Sequence, residues 1–96
     1  MPLLSIVIPT KNRYEYLFPV LDASIQYIAG SDYEIVVQDN THDNSPAIEY
    51  FLRQTDPRIK YFHSPEPVDI VTNTNRAIMN STGKYLVFIG DDDFPI

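Results

Sequence analysis

The chain has 96 residues, enough for one small domain or for a piece of a larger one. An apolar fraction of 44%, with seven Tyr and five Phe, supports a packed core and argues against disorder. A net charge of −6 without a basic stripe excludes a nucleic-acid backbone as partner, and the absence of cysteine excludes disulfides and thiolate metal sites.

Met1-Pro2-Leu3-Leu4 lacks the basic start of a signal peptide, and no run reaches the roughly 20 apolar residues of a membrane span. A soluble chain is therefore expected. Residues 3–8 are apolar and β-branched and stop at Pro9-Thr10, which predicts a short buried strand. Tyr14, Leu17, Phe18, Leu21, Ile25 and Ile28 then recur at helical spacing, with Gly30 as the stop. Pro19 removes one hydrogen bond from that helix, so either the regular helix starts near Phe18 or its first turns are distorted.

Residues 34–38 form the second predicted strand, closing on the turn pair Asp39-Asn40. Ser45-Pro46 reads as an N-cap followed by a first-turn proline, with Ile48, Phe51 and Leu52 as the apolar face of a helix ending before Asp56-Pro57. Residues 59–62 make a brief third strand, and Ser64-Pro65-Glu66-Pro67 a loop. A third helix over 71–81 rests on Val71, Asn75, Ile78 and Met79, with Gly83 past its end. Residues 85–89 are the fourth strand, apolar enough to be buried. Strands and helices alternate throughout. This predicts an α/β, Rossmann-like parallel sheet of about four strands, joined by right-handed crossovers and flanked by helices.

The last strand stops at Gly90 and is followed by Asp91, Asp92 and Asp93, with no Lys or Arg after them. Three adjacent carboxylates repel one another. Two readings stand: a divalent cation carrying phosphates at a strand end, or a solvated acidic run. A metal site three residues before the final Ile96 would be poorly enclosed, so the first half of a larger domain is expected.

Common phosphate loops are absent. Pro9-Thr10-Lys11-Asn12-Arg13 contains no glycine, which rules out the dinucleotide fingerprint after the first strand. Gly83-Lys84 is followed by Tyr85 where a P-loop needs Ser or Thr. A receiver-type phosphorylation domain would carry paired acids where this chain has Pro-Thr.

Three blocks carry a resemblance. Ile6-Val7-Ile8-Pro9-Thr10-Lys11-Asn12-Arg13 is similar to the V-S-I-V-I-P-T-Y-N-R opening of family 2 glycosyltransferases. The segment from Glu34 to Asp43 resembles that family's E-I-I-V-V-D-D-G-S-T-D block, and the one from Ser81 to Asp93 its A-T-G-E-Y-I-A-F-L-D-A-D-D block. Order and spacing match over nearly the whole chain.

The resemblance implies the N-terminal half of a GT-A fold, residues 1–96 being its nucleotide-sugar-binding portion. It implies that Pro9, Thr10, Asn12 and Arg13 line the base and ribose pocket. Asp39 would accept a hydrogen bond from a uracil ring, a task suited to an ionised carboxylate. Without the resemblance, Asp39 reads as a turn-stabilising residue. Asp92 matches the last acid of the family's D-x-D, which meets metal and diphosphate. Asp93 joins it as a metal ligand and Asp91 as a nucleotide contact, with Mn²⁺ or Mg²⁺ as the cofactor. Lys11 and Arg13 are cations within reach of the diphosphate or simply exposed.

The departures are Gln38 for the first acid of D-D-G-S, Asn40 for its glycine, Gly90 for the first acid of D-x-D, and Thr74 for the Arg preceding Asn75. Asn40 is expected to tolerate a left-handed turn. The implied enzyme is an inverting hexosyltransferase-type protein. It uses a nucleotide-diphosphosugar donor, a UDP-sugar first, and a carbohydrate or lipid-linked acceptor, with its general base beyond residue 96. The 96-residue chain alone is expected to be inactive. A cytoplasmic location is expected, any membrane association coming from segments absent from this chain. The alternatives are a sugar-phosphate nucleotidyltransferase, or a non-catalytic module that self-associates through an exposed sheet edge.

Overall fold

The computed structural model describes residues 3–27, 32–54 and 56–90. Along them run β1 Leu4–Thr10, α1 Tyr14–Tyr27, β2 Tyr33–Asp39, α2 Ser45–Arg53, β3 Ile59–His63, α3 Ile70–Met79 and β4 Tyr85–Phe88. The strands form one parallel sheet in the order β3-β2-β1-β4. Successive steps from β1 to β3 go one way, and β4 lies on the other side of β1. The direction of winding therefore switches between β1 and β4, the place where such sheets leave a crevice at their carboxyl ends.

Side-chain alternation divides the core. Ile6, Ile8, Ile35 and Val37 pack against Leu17 and Leu21 of α1, with Phe51 of α2 and Tyr61 of β3 at the margin. Val7 and Val36 face the other way, onto Ala77 of α3. The sheet is thus sandwiched, with α1 and α2 on one face and α3 on the other, as the alternating pattern predicts.

β1 continues through Pro9-Thr10 instead of ending before them. Thr10 accepts a bond from the Asn40 N–H on the β2 side, whereas Val7 accepts from Ile89 on the β4 side. Alternate residues of a parallel strand bond to opposite neighbours, so the Pro9 nitrogen points to the β4 side. The β4 ladder has already ended there, opposite Val7, and no donor is missed. Helix α1 likewise begins at Tyr14 and runs through Pro19, which is exposed, so the helical carbonyl left without a donor lies on the solvent side. The expected stop at Gly30 lies outside the described residues.

The N-cap of α2 is Asn44 rather than Ser45, and the Asp43 carboxylate accepts from both the backbone and the hydroxyl of Ser45. The apolar faces of α2 and α3 differ from those read by spacing. Ile48 and Leu52 are exposed while Ala47 is buried; Val71, Ile78 and Met79 are exposed while Asn73 and Ala77 are buried. In α3 the small residues take the inward positions because that helix lies close to β1 and β2, and its larger apolar groups turn outward; α2 packs on α1 and reaches the core through Tyr50 and Phe51. β4 is the other correction: Tyr85, Leu86, Val87 and Phe88 are 58%, 47%, 41% and 56% exposed, so the run is an outer strand open on both faces.

At the amino end of the sheet, Glu34 is buried and ties four segments together. It accepts from the Ser5 hydroxyl at 2.6 Å, from the Lys60 ammonium at 2.6 Å, and from the N–H and hydroxyl of Thr82. Burial pushes this carboxyl upward, but Lys60, Ser5 and Thr82 outweigh it and hold the pKa down at about 2. Gly83 belongs to the same knot. Its N–H donates to Ser5 Oγ at 2.7 Å, and a Cβ there would lie 2.5 Å from that oxygen and 2.7 Å from the Ser5 nitrogen. Among the described residues no helix is long and apolar enough to cross a membrane.

Candidate functional site

The chain leaves β1 through Lys11-Asn12-Arg13, and Asn12 takes a left-handed φ of 57°. Asparagine adopts this conformation at little cost, so the loop turns sharply without glycine. The Asn12 N–H donates to the Thr41 hydroxyl at 2.7 Å, joining the loop after β1 to the loop after β2. Thr41 is itself held on both sides. Its N–H donates to Asp39 Oδ1 at 2.9 Å, and its carbonyl lies 2.7 Å from His63 Nε2, which must carry the proton because a carbonyl only accepts.

Asp39 is completely buried at the root of this network. Its second oxygen accepts from the hydroxyls of Tyr14 at 2.5 Å and Tyr61 at 2.7 Å. Both phenols are pushed well above the usual tyrosine range, first by burial and then by the hydrogen bond to Asp39. They remain neutral donors at any ordinary pH. The rings belong to an aromatic row, Tyr14 on Phe18, Phe18 on Tyr50, and Tyr61 on Phe51, which fixes where their hydroxyls can reach.

Across the strand ends, Asn40 is buried and its side chain reaches the loop before α3. Nδ2 donates to the carbonyls of Ser64 at 2.8 Å and Glu66 at 2.7 Å, and Oδ1 accepts from the Val68 N–H at 3.0 Å. Asp69 then caps α3, accepting from the Thr72 N–H at 2.7 Å. From inside α3, Asn73 directs Nδ2 at the carbonyls of Gln38 and Thr10, at 3.2 and 3.4 Å. Its Oδ1 is buried and has no hydrogen-bond partner.

These pieces enclose a cavity of about 330 Å³ at the β1/β4 switch, a volume at the lower end for small-molecule sites. Pro9, Thr10, Lys11 and Arg13 form one wall. Asn40, Val68, Asp69, Ile70 and Asn73 form the second, and Phe88 and Gly90 the third. Two cations, one carboxylate and several amides around a partly apolar floor suit a ligand with an anionic end and a flat polar end.

Of the residues expected from sequence, Pro9, Thr10 and Arg13 line this cavity. Asn12 contributes its backbone N–H to the loop junction while its side chain is exposed. Asp39 stands behind the lining, with both oxygens engaged by Thr41, Tyr14 and Tyr61. Asp91, Asp92 and Asp93 lie outside the described residues, although Gly90, which directly precedes them, lines the cavity. Among the described residues no group of three His, Cys, Asp or Glu could hold a metal ion. The donors that suit a hard divalent cation are the three carboxylates after Gly90, whose oxygens are the ligand type such ions prefer.

Sequence reading missed Asn40 and Asn73 as builders of this site. Asn40 was expected to supply a left-handed turn, but among the described residues Asn12 is the non-glycine residue with positive φ, and Asn40 contributes its amide instead. Asn73 stands four residues before Ala77 on the inward face of α3. Taking Ala77 rather than Ile78 as the inward position would have found it.

The family model described as Glycosyl transferase family 2 matches residues 5–96. A curated relative, the GalNAc(5)-diNAcBac-PP-undecaprenol beta-1,3-glucosyltransferase of Campylobacter jejuni, is 35% identical over 95 residues, covering 97% of this chain and 30% of its own length. The crystal structure of Staphylococcus aureus TarS 1-349 superposes with a TM-score of 0.78 at 22% identity, over 98% of this chain and 28% of that one. The mannosyltransferase PcManGT of Pyrobaculum calidifontis, solved with GDP-Man and Mn²⁺, gives 0.79 at 22% identity over 97% and 28%. At that identity both structures bear on the fold alone. The chain spans about 30% of the length of the curated relative described above.

Proposed function

The chain belongs to glycosyl transferase family 2, and we propose that it supplies the nucleotide-binding part of a metal-dependent, inverting glycosyltransferase that uses a UDP-sugar. The observation that carries this reading is the cavity at the β1/β4 switch, with Lys11 and Arg13 on one wall and Gly90, directly ahead of three carboxylates, on another. A nucleoside enters between Pro9-Thr10 and the Val68-Asp69 wall, where the unpartnered Asn73 Oδ1 and the Asp69 carboxylate offer acceptors to base and ribose. The diphosphate lies towards Lys11, Arg13 and the end of β4.

In this proposal Asp92 and Asp93 hold the divalent cation and Asp91 contacts the nucleotide. When bound, the cation supplies electrostatic stabilisation of the departing diphosphate. The chain's own residues bind and orient the donor: the Asn12–Thr41–Asp39 network fixes the loop after β1, and Asn73 fixes the strand ends beneath it. To serve a uracil ring as acceptor, Asp39 would have to become accessible, since it is completely buried with Oδ2 accepting from Tyr14 and Tyr61 and Oδ1 from the Thr41 N–H. The acceptor pocket and the base that takes the proton of the acceptor hydroxyl are assigned to chain beyond residue 96, the Campylobacter jejuni relative being about three times as long.

The reading is supported by the family match and by the Mn²⁺ and GDP-Man complex of the Pyrobaculum calidifontis protein, which has the same fold. Calorimetric titration with UDP, with and without Mn²⁺, tests it. Metal-dependent binding that is lost in Asp92→Ala is expected. Absence of binding by a folded chain, together with concentration-dependent dimerisation, would instead favour a non-catalytic module associating through the exposed β4 strand.

A further inference from the structure

The loop between β3 and α3 reads Ser64-Pro65-Glu66-Pro67-Val68, and its two prolines carry no N–H. With two donors missing, the segment is anchored from outside, the Ser64 N–H donating to the Asp39 carbonyl at 3.0 Å. Its carbonyls at Ser64 and Glu66 and its N–H at Val68 are met by one side chain, Asn40, at 2.8, 2.7 and 3.0 Å. The same residue donates its own N–H to the Thr10 carbonyl at 2.9 Å. Asn40 is 2% exposed, so water reaches these bonds only from the loop side, where Ser64 and Val68 are half-buried and Glu66 is exposed. The Asn40 backbone therefore holds one wall of the cavity and its side chain the opposite wall, Val68 and Asp69.

We infer that Asn40 is a positioning residue that sets the width of the nucleotide cavity, and through it the preference among nucleobases. This rests on the donor-binding reading above. Glycine, the residue the family block carries at this place, could supply the turn but none of the three side-chain bonds. Aspartate would keep the size and the acceptor for Val68 but would set an oxygen against the Ser64 and Glu66 carbonyls. Alanine would remove all three contacts.

The test compares the parent chain with Asn40→Ala and Asn40→Asp in two measurements. The first is the affinity for UDP, CDP, GDP and ADP, each with Mn²⁺. The second is amide hydrogen exchange at Val68 and at Ile35–Val37. The expected result is faster exchange at Val68 in Asn40→Ala with unchanged exchange in β2. The favoured nucleotide should bind about tenfold more weakly in both variants, with the spread among the four nucleotides compressed. A purely structural role would lower all four affinities in proportion to the folded fraction and leave their ratios alone, and that result overturns the inference. Unchanged Val68 exchange overturns it as well. If the parent chain binds none of the four, the donor-binding reading fails, and Val68 exchange alone decides whether Asn40 pins the loop. Asn40→Asp, nearly isosteric, keeps the comparison available if Asn40→Ala does not fold.

Discussion

Tyr61, on β3, donates its hydroxyl at 2.7 Å to the carboxylate of Asp39 at the end of β2, and that carboxylate is completely buried. Tyr14 reaches the same oxygen from α1. A buried carboxylate needs such donors, since removing one leaves part of the charge without solvation. Tyr61→Phe and Tyr14→Phe should each destabilise the chain by about 1–2 kcal/mol, measured by urea unfolding at pH 7.

Because burial and Asp39 push both phenols above their ordinary value, the folded chain keeps protons that the unfolded chain loses above about pH 10. The folded state then binds more protons, so the free energy of unfolding falls as pH rises from about 10. The melting temperature should decline across pH 9.5–11.5, more shallowly in either Phe variant, a range set by the ordinary tyrosine pKa of about 10. An ultraviolet titration should show a fraction of the tyrosines resisting ionisation until the chain unfolds.

Glu34 predicts the opposite limb. Its folded pKa of about 2 lies below the ordinary 4.5, so its contribution is complete above pH 4.5 and is lost as pH falls towards 2. Glu34→Gln should lower stability at pH 7 by about 1–3 kcal/mol, the Lys60 share being reduced by that side chain's partial exposure. It should also flatten the acid limb of a melting-temperature profile. An unchanged acid limb would place the pH dependence elsewhere.

Gly83→Ala is predicted to be severely destabilising, by more than about 2 kcal/mol, although a surface loop after a helix would ordinarily accept alanine. The added Cβ would meet the Ser5 nitrogen at 2.7 Å and the Leu4 carbonyl carbon at 2.8 Å, atoms of β1 itself. Relief requires moving the central strand away from the turn that leads into β4. Circular dichroism melting compares it with Ser81→Ala, which should change little.

Much of this fold is legible in the chain because strand and helix periods alternate cleanly and turn residues punctuate them. Seven elements stand in the predicted order, and the parallel sheet follows from their alternation. What misled was burial. Apolar content alone made residues 85–89 resemble a central strand, but burial depends on neighbours, and among the described residues β4 has only β1 beside it. Spacing alone also set α3 on Ile78 and Met79, whereas a helix lying close to a sheet turns its small residue, Ala77, inward and carries Asn73 with it. Pro9, Thr10 and Arg13 were visible through local sequence blocks. Asn40 and Asn73 were not, because they act on carbonyls 24 to 63 residues away, and no local pattern records such partners.

In the proposed function a nucleotide binds in the cavity between β1 and β4. Backbone NMR of the isotopically labelled chain, titrated with UDP and Mg²⁺, tests it residue by residue. Saturable shifts are expected at Thr10, Lys11, Asn40, Val68, Asn73 and Gly90, absent when Mg²⁺ is removed. Shifts confined to the opposite surface around Phe18, Asp22 and Tyr50, or none while the folded spectrum persists, would contradict it.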